Sequence, residues 1–222
     1  PYFALSVKDF WRRWHISLSR FLKDYLYIPL GGNRKGKFRK YINLMLTFFI
    51  SGIWHGIGTH FLLWGLLHGF YQVMGDVLVP VKKGLLKITG MEKGSFAHRF
   101  FSRLFTCFLV MAAWIFFRAE SASKAVYMVC HMFMKWNPWI LFSGQLYALG
   151  LAEEEWLLLV LCVILLIIVG VLHEKGVRVR KSFGKQPLVF RWLVLFTGIF
   201  VILIAGIYGP GYDSAQFIYG GF

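Results

Sequence analysis

Ser51-Gly52-Ile53-Trp54-His55-Gly56 lies within the apolar run from Tyr41 to Gly58, and its reading decides the chain's fold and chemistry. A polar, titratable imidazole is costly to bury in hydrocarbon. An ionisable residue in such a segment is therefore a functional-site hypothesis by default. Glycines 52, 56 and 58 flank His55 and permit close helix packing or a broken helix that lines a cavity. The competing reading is a histidine hydrogen-bonded between helices. A second histidine, His15, lies about 40 residues upstream in the basic, tryptophan-rich stretch Asp9-Phe-Trp-Arg-Arg-Trp-His-Ile-Ser-Leu-Ser19. One histidine in an apolar run and one beside an interfacial segment point to acid–base chemistry at a bilayer.

Composition supports the membrane. Of 222 residues, 58% are hydrophobic, 19% aromatic and only 16% charged, with a mean hydropathy of +0.60. Soluble domains of this size rarely reach these values. The net charge of +15 sits in clusters between apolar runs, which favours loops against anionic lipid over nucleic-acid binding. No charged segment followed by a short apolar core opens the chain at Pro1, so we expect no signal peptide and a piece of a longer polytopic protein. Cys107, Cys130 and Cys162 are far apart and read as buried small apolar residues.

Residues 5–27 carry an apolar stripe of Leu5, Phe10, Trp14, Leu18, Phe21, Leu22, Tyr25 and Leu26, with cations between, which predicts an interfacial amphipathic helix. Pro29 ends it, Gly31-Gly32-Asn33 makes a turn, and Arg34, Lys35, Lys37, Arg39 and Lys40 form a basic loop. Five apolar runs follow near 41–58, 60–79, 101–117, 156–173 and 190–207. Each is long enough to cross a hydrocarbon core of ~30 Å. The predicted fold is all-α, a polytopic transmembrane bundle. Its parts are an interfacial segment 1–40, a bundle 41–207 and a tail 208–222. The basic stretches 34–40, 80–100 and 174–189 are placed on the cytoplasmic side. The nearly neutral 118–155 faces outward, with an amphipathic helix over Ala122–Trp136.

On this topology His55 lies ~21 Å along its helix from Tyr41, past the midplane, where a donor from inside and an acceptor from outside can meet. His60 and His68 share a face of the second run, but the spacings of 5 and 8 from His55 match no compact ligand motif and no carboxylate accompanies them, so no metal is expected. His98, His131 and His173 lie at segment ends or in loops. Asp9 and Asp24 read as local ion-pair partners. No nucleophile elbow, Walker loop or dinucleotide fingerprint is present.

Three ordered motifs, Asp9 to Ser19, Tyr27-Ile-Pro-Leu-Gly-Gly-Asn-Arg34 and Ser51-Gly-Ile-Trp-His-Gly56, resemble the membrane-bound O-acyltransferase family. Trp114-Ile-Phe-Phe-Arg118 and Tyr208-Gly-Pro-Gly-Tyr212 extend the resemblance. The Tyr27–Arg34 element looks like the bacterial alginate O-acetyltransferase branch. The D-alanyl transferase branch shares the histidine motifs but departs from this element. The resemblance places the chain in the C-terminal half of a protein about twice as long, so the piece alone is expected to be poorly active.

The resemblance implies an enzyme of the bacterial cytoplasmic membrane that moves an acetyl or other acyl group from a thioester donor to hydroxyls of an exported polysaccharide. It makes His55 the catalytic histidine and His15 its partner. Trp14, Trp54, Ser51 and Gly56 would line the substrate tunnel, and Arg12, Arg13, Arg34 and Lys35 would receive an anionic donor. No bound cofactor is implied: acetyl-CoA or an acyl carrier is a substrate. The implied partners are the lipid bilayer, the polysaccharide acceptor, a separate extracytoplasmic acetyltransferase and an acidic carrier protein, with no nucleic acid. A neutral, buried imidazole can take the acceptor's proton as oxygen attacks the thioester. Two alternatives stay open: D-alanyl transfer to teichoic acid from a carrier protein, and a transporter or scaffold whose histidines do no covalent chemistry.

Overall fold

The computed structural model describes residues 1–135, 137–145 and 153–206. Among these residues the chain is helical and contains no strand. Trp136 and the Tyr208–Tyr212 motif lie outside the described residues. The chain forms two compact units, Pro1–Asn137 and Pro138–Phe222.

The first unit opens with α1 (Val7–Arg13) and α2 (Ile16–Leu22). Ser6 caps α1 by accepting the Asp9 backbone N–H, and Asp9 in turn ion-pairs with Arg13 at 3.1 Å. The single amphipathic helix expected over 5–27 is therefore broken. Trp14 is extended, and His15 takes the left-handed conformation at φ 44° and ψ 50°. His15 is the one non-glycine residue with positive φ among the described residues. The break changes the register of the apolar stripe. Phe10, Leu18 and Leu22 are buried as expected, while Phe21 and Tyr25 are exposed and Trp11, off the stripe, is buried. A π-helical turn over Lys23–Tyr27 then leads into the glycine turn.

α3 (Gly36–His55) begins earlier than its apolar run, so Lys37, Arg39 and Lys40 occupy its first turns and not a loop. Lys40 ion-pairs with Asp76 of α4 (Thr59–Val77). The two helices pack through glycines. A side chain on Gly52 would meet the Phe61 carbonyl oxygen at 2.5 Å, and one on Gly65 would collide with the Phe48 carbonyl. Small residues at such crossings let backbones approach closely. α5 (Val79–Ile88) continues α4 after a 60° bend, so part of the expected loop 80–100 is helix. α6 (Phe96–Arg118) starts at the Ser95 cap, and α7 (Ala122–Met134) at the Ser121 cap. The core joins Val7, Phe10 and Trp11 of α1, Phe48 of α3, Trp64 of α4, and Val110 and Ala113 of α6.

The second unit holds α8 (Glu153–Glu174), α9 (Val179–Gly184) and α10 (Leu188–Ala205). α6, Glu155–Glu174 and α10 are each long and apolar enough to cross a membrane, and α4 with α5 passes as one bent span. The all-helical membrane architecture stands. α3, expected as a span, is not in that set. Its first turns are basic and its buried face carries Asn43, Thr47, Ser51 and His55. The cysteines also differ from expectation. Cys107 is half-buried, and Cys130 and Cys162 are exposed.

Candidate active site

Asn43, Thr47, Ser51 and His55 recur every four residues, so one stripe of α3 is polar and buried. Each member has a different task. Asn43 donates its amide to the carbonyls of Leu30 at 3.1 Å and Gly32 at 3.2 Å, fixing the glycine turn beneath α3. Gly31 and Gly32 adopt positive φ there, 102° and 53°, and the Tyr27 hydroxyl donates to the Asn33 side-chain oxygen across the same turn. Burial pushes the Tyr27 phenol above its ordinary pKa, with the Lys40 ammonium acting in the other direction. Thr47 donates back to the Asn43 carbonyl at 2.7 Å. The Ser51 hydroxyl is buried and has no hydrogen-bond partner among the described residues.

His55 is the last residue of α3 and only 3% exposed. Gly56 stops the helix at φ 146°, in a conformation that disfavours a side chain, and the Phe61 ring closes on its α-carbon. Three rings wall His55 edge-on: Trp54 at 4.8 Å between centroids, Trp64 at 5.0 Å and Phe117 at 5.0 Å. His15 also lies beside it, at 6.3 Å. The break between α1 and α2 makes this approach possible. Ser19 holds it from below, donating to the carbonyls of Trp11 at 3.4 Å and Trp14 at 3.5 Å. His15 also meets Trp54 at 6.1 Å.

The structure thus joins His15, Trp54 and His55, with Ser51 one turn before His55 and Gly56 directly after it. Trp54 is 56% exposed. Trp14 packs on Phe10 at 5.8 Å and on Trp114 at 5.7 Å. The cations fall into two groups. Arg12 and Arg13 end α1 close to His15, whereas Arg34 and Lys35 precede α3, ~30 Å of helix from His55. His60 packs on Phe61, and His68 is fully buried further along α4. Among the described residues no three His, Cys, Asp or Glu side chains form a group that could hold a metal ion.

Sequence reasoning missed Trp64, Phe117, Trp11 and His68. Phe117 had a visible signal, its place in the Trp114–Arg118 motif. Trp64 had none beyond being aromatic in an apolar run.

A histidine pair thus lies at the end of a buried polar stripe, walled by aromatic rings. Residues 2–81 match the model of MBOAT, the membrane-bound O-acyltransferase family. That match covers both histidines and α1 to α4, so the resemblance read from the three motifs stands. The chain is 46% identical over 127 residues to the peptidoglycan O-acetyltransferase of Helicobacter pylori, covering 57% of this chain and 22% of that protein. It is 38% identical over 190 residues to a probable alginate O-acetylase of Azotobacter vinelandii, covering 85% of this chain and 33% of that one. Teichoic acid D-alanyltransferase of Streptococcus thermophilus is 31% identical over 94 residues, 39% of this chain and 23% of that protein. The matched stretches span a third or less of these relatives' own lengths.

Proposed function

We propose that the protein containing this chain is a membrane O-acetyltransferase that moves acetyl from a cytoplasmic thioester to a hydroxyl of an exported cell-surface polysaccharide. The observation that carries this reading is the apposition of His15 and His55 at 6.3 Å, across 40 residues of sequence. His55 is the general base. Its neutral ring takes the proton of the acceptor hydroxyl while that oxygen bonds to the thioester carbonyl carbon. The carbon–sulfur bond then breaks, and the thiolate recovers the proton from the imidazolium. General-base action of this kind contributes about 10²–10⁴-fold to rate. His15 orients or polarises a reactant beside it.

Acetyl is favoured over D-alanine by the stronger and longer similarity to relatives named for O-acetyl transfer. The Tyr27–Arg34 element, which looks like that of the alginate O-acetyltransferase branch, supports the same choice. The acceptor is a surface polymer, met from the extracytoplasmic side with a separate acetyltransferase partner.

The test uses membranes with the full-length protein, labelled acetyl-CoA, labelled acetyl-carrier and D-alanyl-carrier. Ester-linked acetyl in the surface polymer, from either acetyl donor, supports the reading. Incorporation of D-alanine alone replaces it with alanylation. No incorporation from any donor, with protein present, favours the non-catalytic reading.

A further inference from the structure

His68 takes no part in the proposed chemistry, yet it is the most enclosed polar side chain in the unit, at 0% exposure. Its Nδ1 accepts the Trp11 indole N–H at 3.2 Å, a bond between α4 and α1 across 57 residues of sequence. That bond assigns the ring's proton to Nε2, which is buried and has no hydrogen-bond partner among the described residues. Rings fix the imidazole from several directions: Phe10 lies parallel at 6.3 Å, Trp11 edge-on at 5.1 Å and Trp64 edge-on at 5.2 Å.

Two lines of contact run from this one ring to the two histidines of the site. On one side His68 holds Trp11. Ser19 donates to the Trp11 and Trp14 carbonyls, tying the end of α1 to α2 around His15. On the other side His68 meets Trp64, whose ring packs edge-on against His55 at 5.0 Å. His15 and His55 come from different elements, and His68 is in contact with the supports of both. We propose that His68 is a positioning residue: its hydrogen bond from Trp11 sets the place of His15 relative to His55. This inference rests on the acyl-transfer reading for its consequence in rate, but its geometric content is independent of it.

The experiment uses the full-length protein in membranes. His68→Leu removes the acceptor, Trp11→Phe removes the donor while keeping a ring, and His68→Gln keeps an acceptor. The first readout is geometric. In a cysteine-depleted background, a His15→Cys/His55→Cys pair is cross-linked by a short bifunctional thiol reagent, with and without each change. Cross-linking slowed by His68→Leu and by Trp11→Phe, but not by His68→Gln, is the expected result. Unchanged cross-linking in both His68→Leu and Trp11→Phe overturns the proposal, whatever the activity does.

The second readout is acetyl transfer at matched membrane abundance, with the native histidine pair. His68→Leu and Trp11→Phe each lower kcat about 10- to 100-fold, the effect of a small misplacement of reacting groups. KM for the donor stays constant, and the double variant is no worse than either single one. Losses that multiply in the double variant contradict the proposed route through Trp11. Slowed cross-linking with transfer unaffected counts instead against the acyl-transfer reading and leaves the positioning role standing. Should His68→Leu fail to accumulate, Trp11→Phe carries both readouts.

Discussion

His15, at the break between α1 and α2, and His55, at the end of α3, lie 6.3 Å apart between ring centroids although 40 residues separate them. The approach depends on one backbone feature, the left-handed conformation of His15 at φ 44°. A left-handed β-branched or bulky residue is strained, while asparagine tolerates it. His15→Val therefore destabilises the full-length protein by about 1–2 kcal/mol relative to His15→Asn, measured by thermal unfolding in detergent. Both variants lose the imidazole, so a fall in transfer shared by the two reports chemistry and the difference in melting reports backbone strain. Equal melting of the two would show that the break does not need this conformation.

The α3–α4 crossing is a second dependence. Gly65→Ala puts a methyl group against the Phe48 carbonyl, where neither backbone can yield without moving the helices apart. The expected loss is roughly 1–3 kcal/mol, with reduced acetyl transfer because Trp64 and His55 lie on the separating faces. Gly75, in the same helix, has open space around it, and Gly75→Ala is expected to be neutral or stabilising by up to about 1 kcal/mol. Thermal melts of the pair check both values. A harmless Gly65→Ala would refute the close crossing.

Asn43 connects the glycine turn to α3. Asn43→Leu leaves the buried carbonyls of Leu30 and Gly32 without their donor, costing about 1–3 kcal/mol. The visible consequence is local. Proteolytic nicking between Gly31 and Gly36 rises well before global unfolding, as expected when a turn loses its anchor. A turn that resists protease as in the wild type would count against this anchoring.

The Lys40–Asp76 pair joins the start of α3 to the end of α4 and is partly exposed, with side chains at 24% and 30%. Its coupling in a double-mutant cycle is therefore small, about 0.2–1 kcal/mol. The Asp76 carboxylate raises the Lys40 pKa above its ordinary value. Stability from a raised lysine is fully present below the ordinary lysine pKa and is lost as pH rises through the raised one. Coupling that is constant between pH 6 and 8 and fades on the alkaline side only as Lys40 loses its proton in strong alkali is the expected profile. Coupling that fades between pH 6 and 8 would implicate a different group.

Much of this arrangement was readable from residue order. The five apolar runs are helices, Pro29 and the glycines end the interfacial segment, and the two histidine motifs converge. The register of residues 5–27 was not readable, because a periodic stripe assumes an unbroken helix and His15 breaks it. Trp11 consequently falls off the stripe, and its partner His68 is one of two histidines in α4. The polar stripe of α3 was hidden for another reason. Asn43, Thr47 and Ser51 are diluted by leucine and phenylalanine in an averaged hydropathy, and only the fourfold spacing up to His55 reveals them. Phe117 reaches His55 from a helix more than sixty residues away, a proximity that only tertiary packing creates.

The most direct measurement compares ester-linked acetyl on surface polysaccharide in cells carrying the full-length wild type or His55→Ala, at matched membrane abundance. The account predicts acetylation in the wild type and a loss of about 10²-fold or more in the variant, the scale of a removed general base. Full acetylation by a folded His55→Ala protein would contradict it.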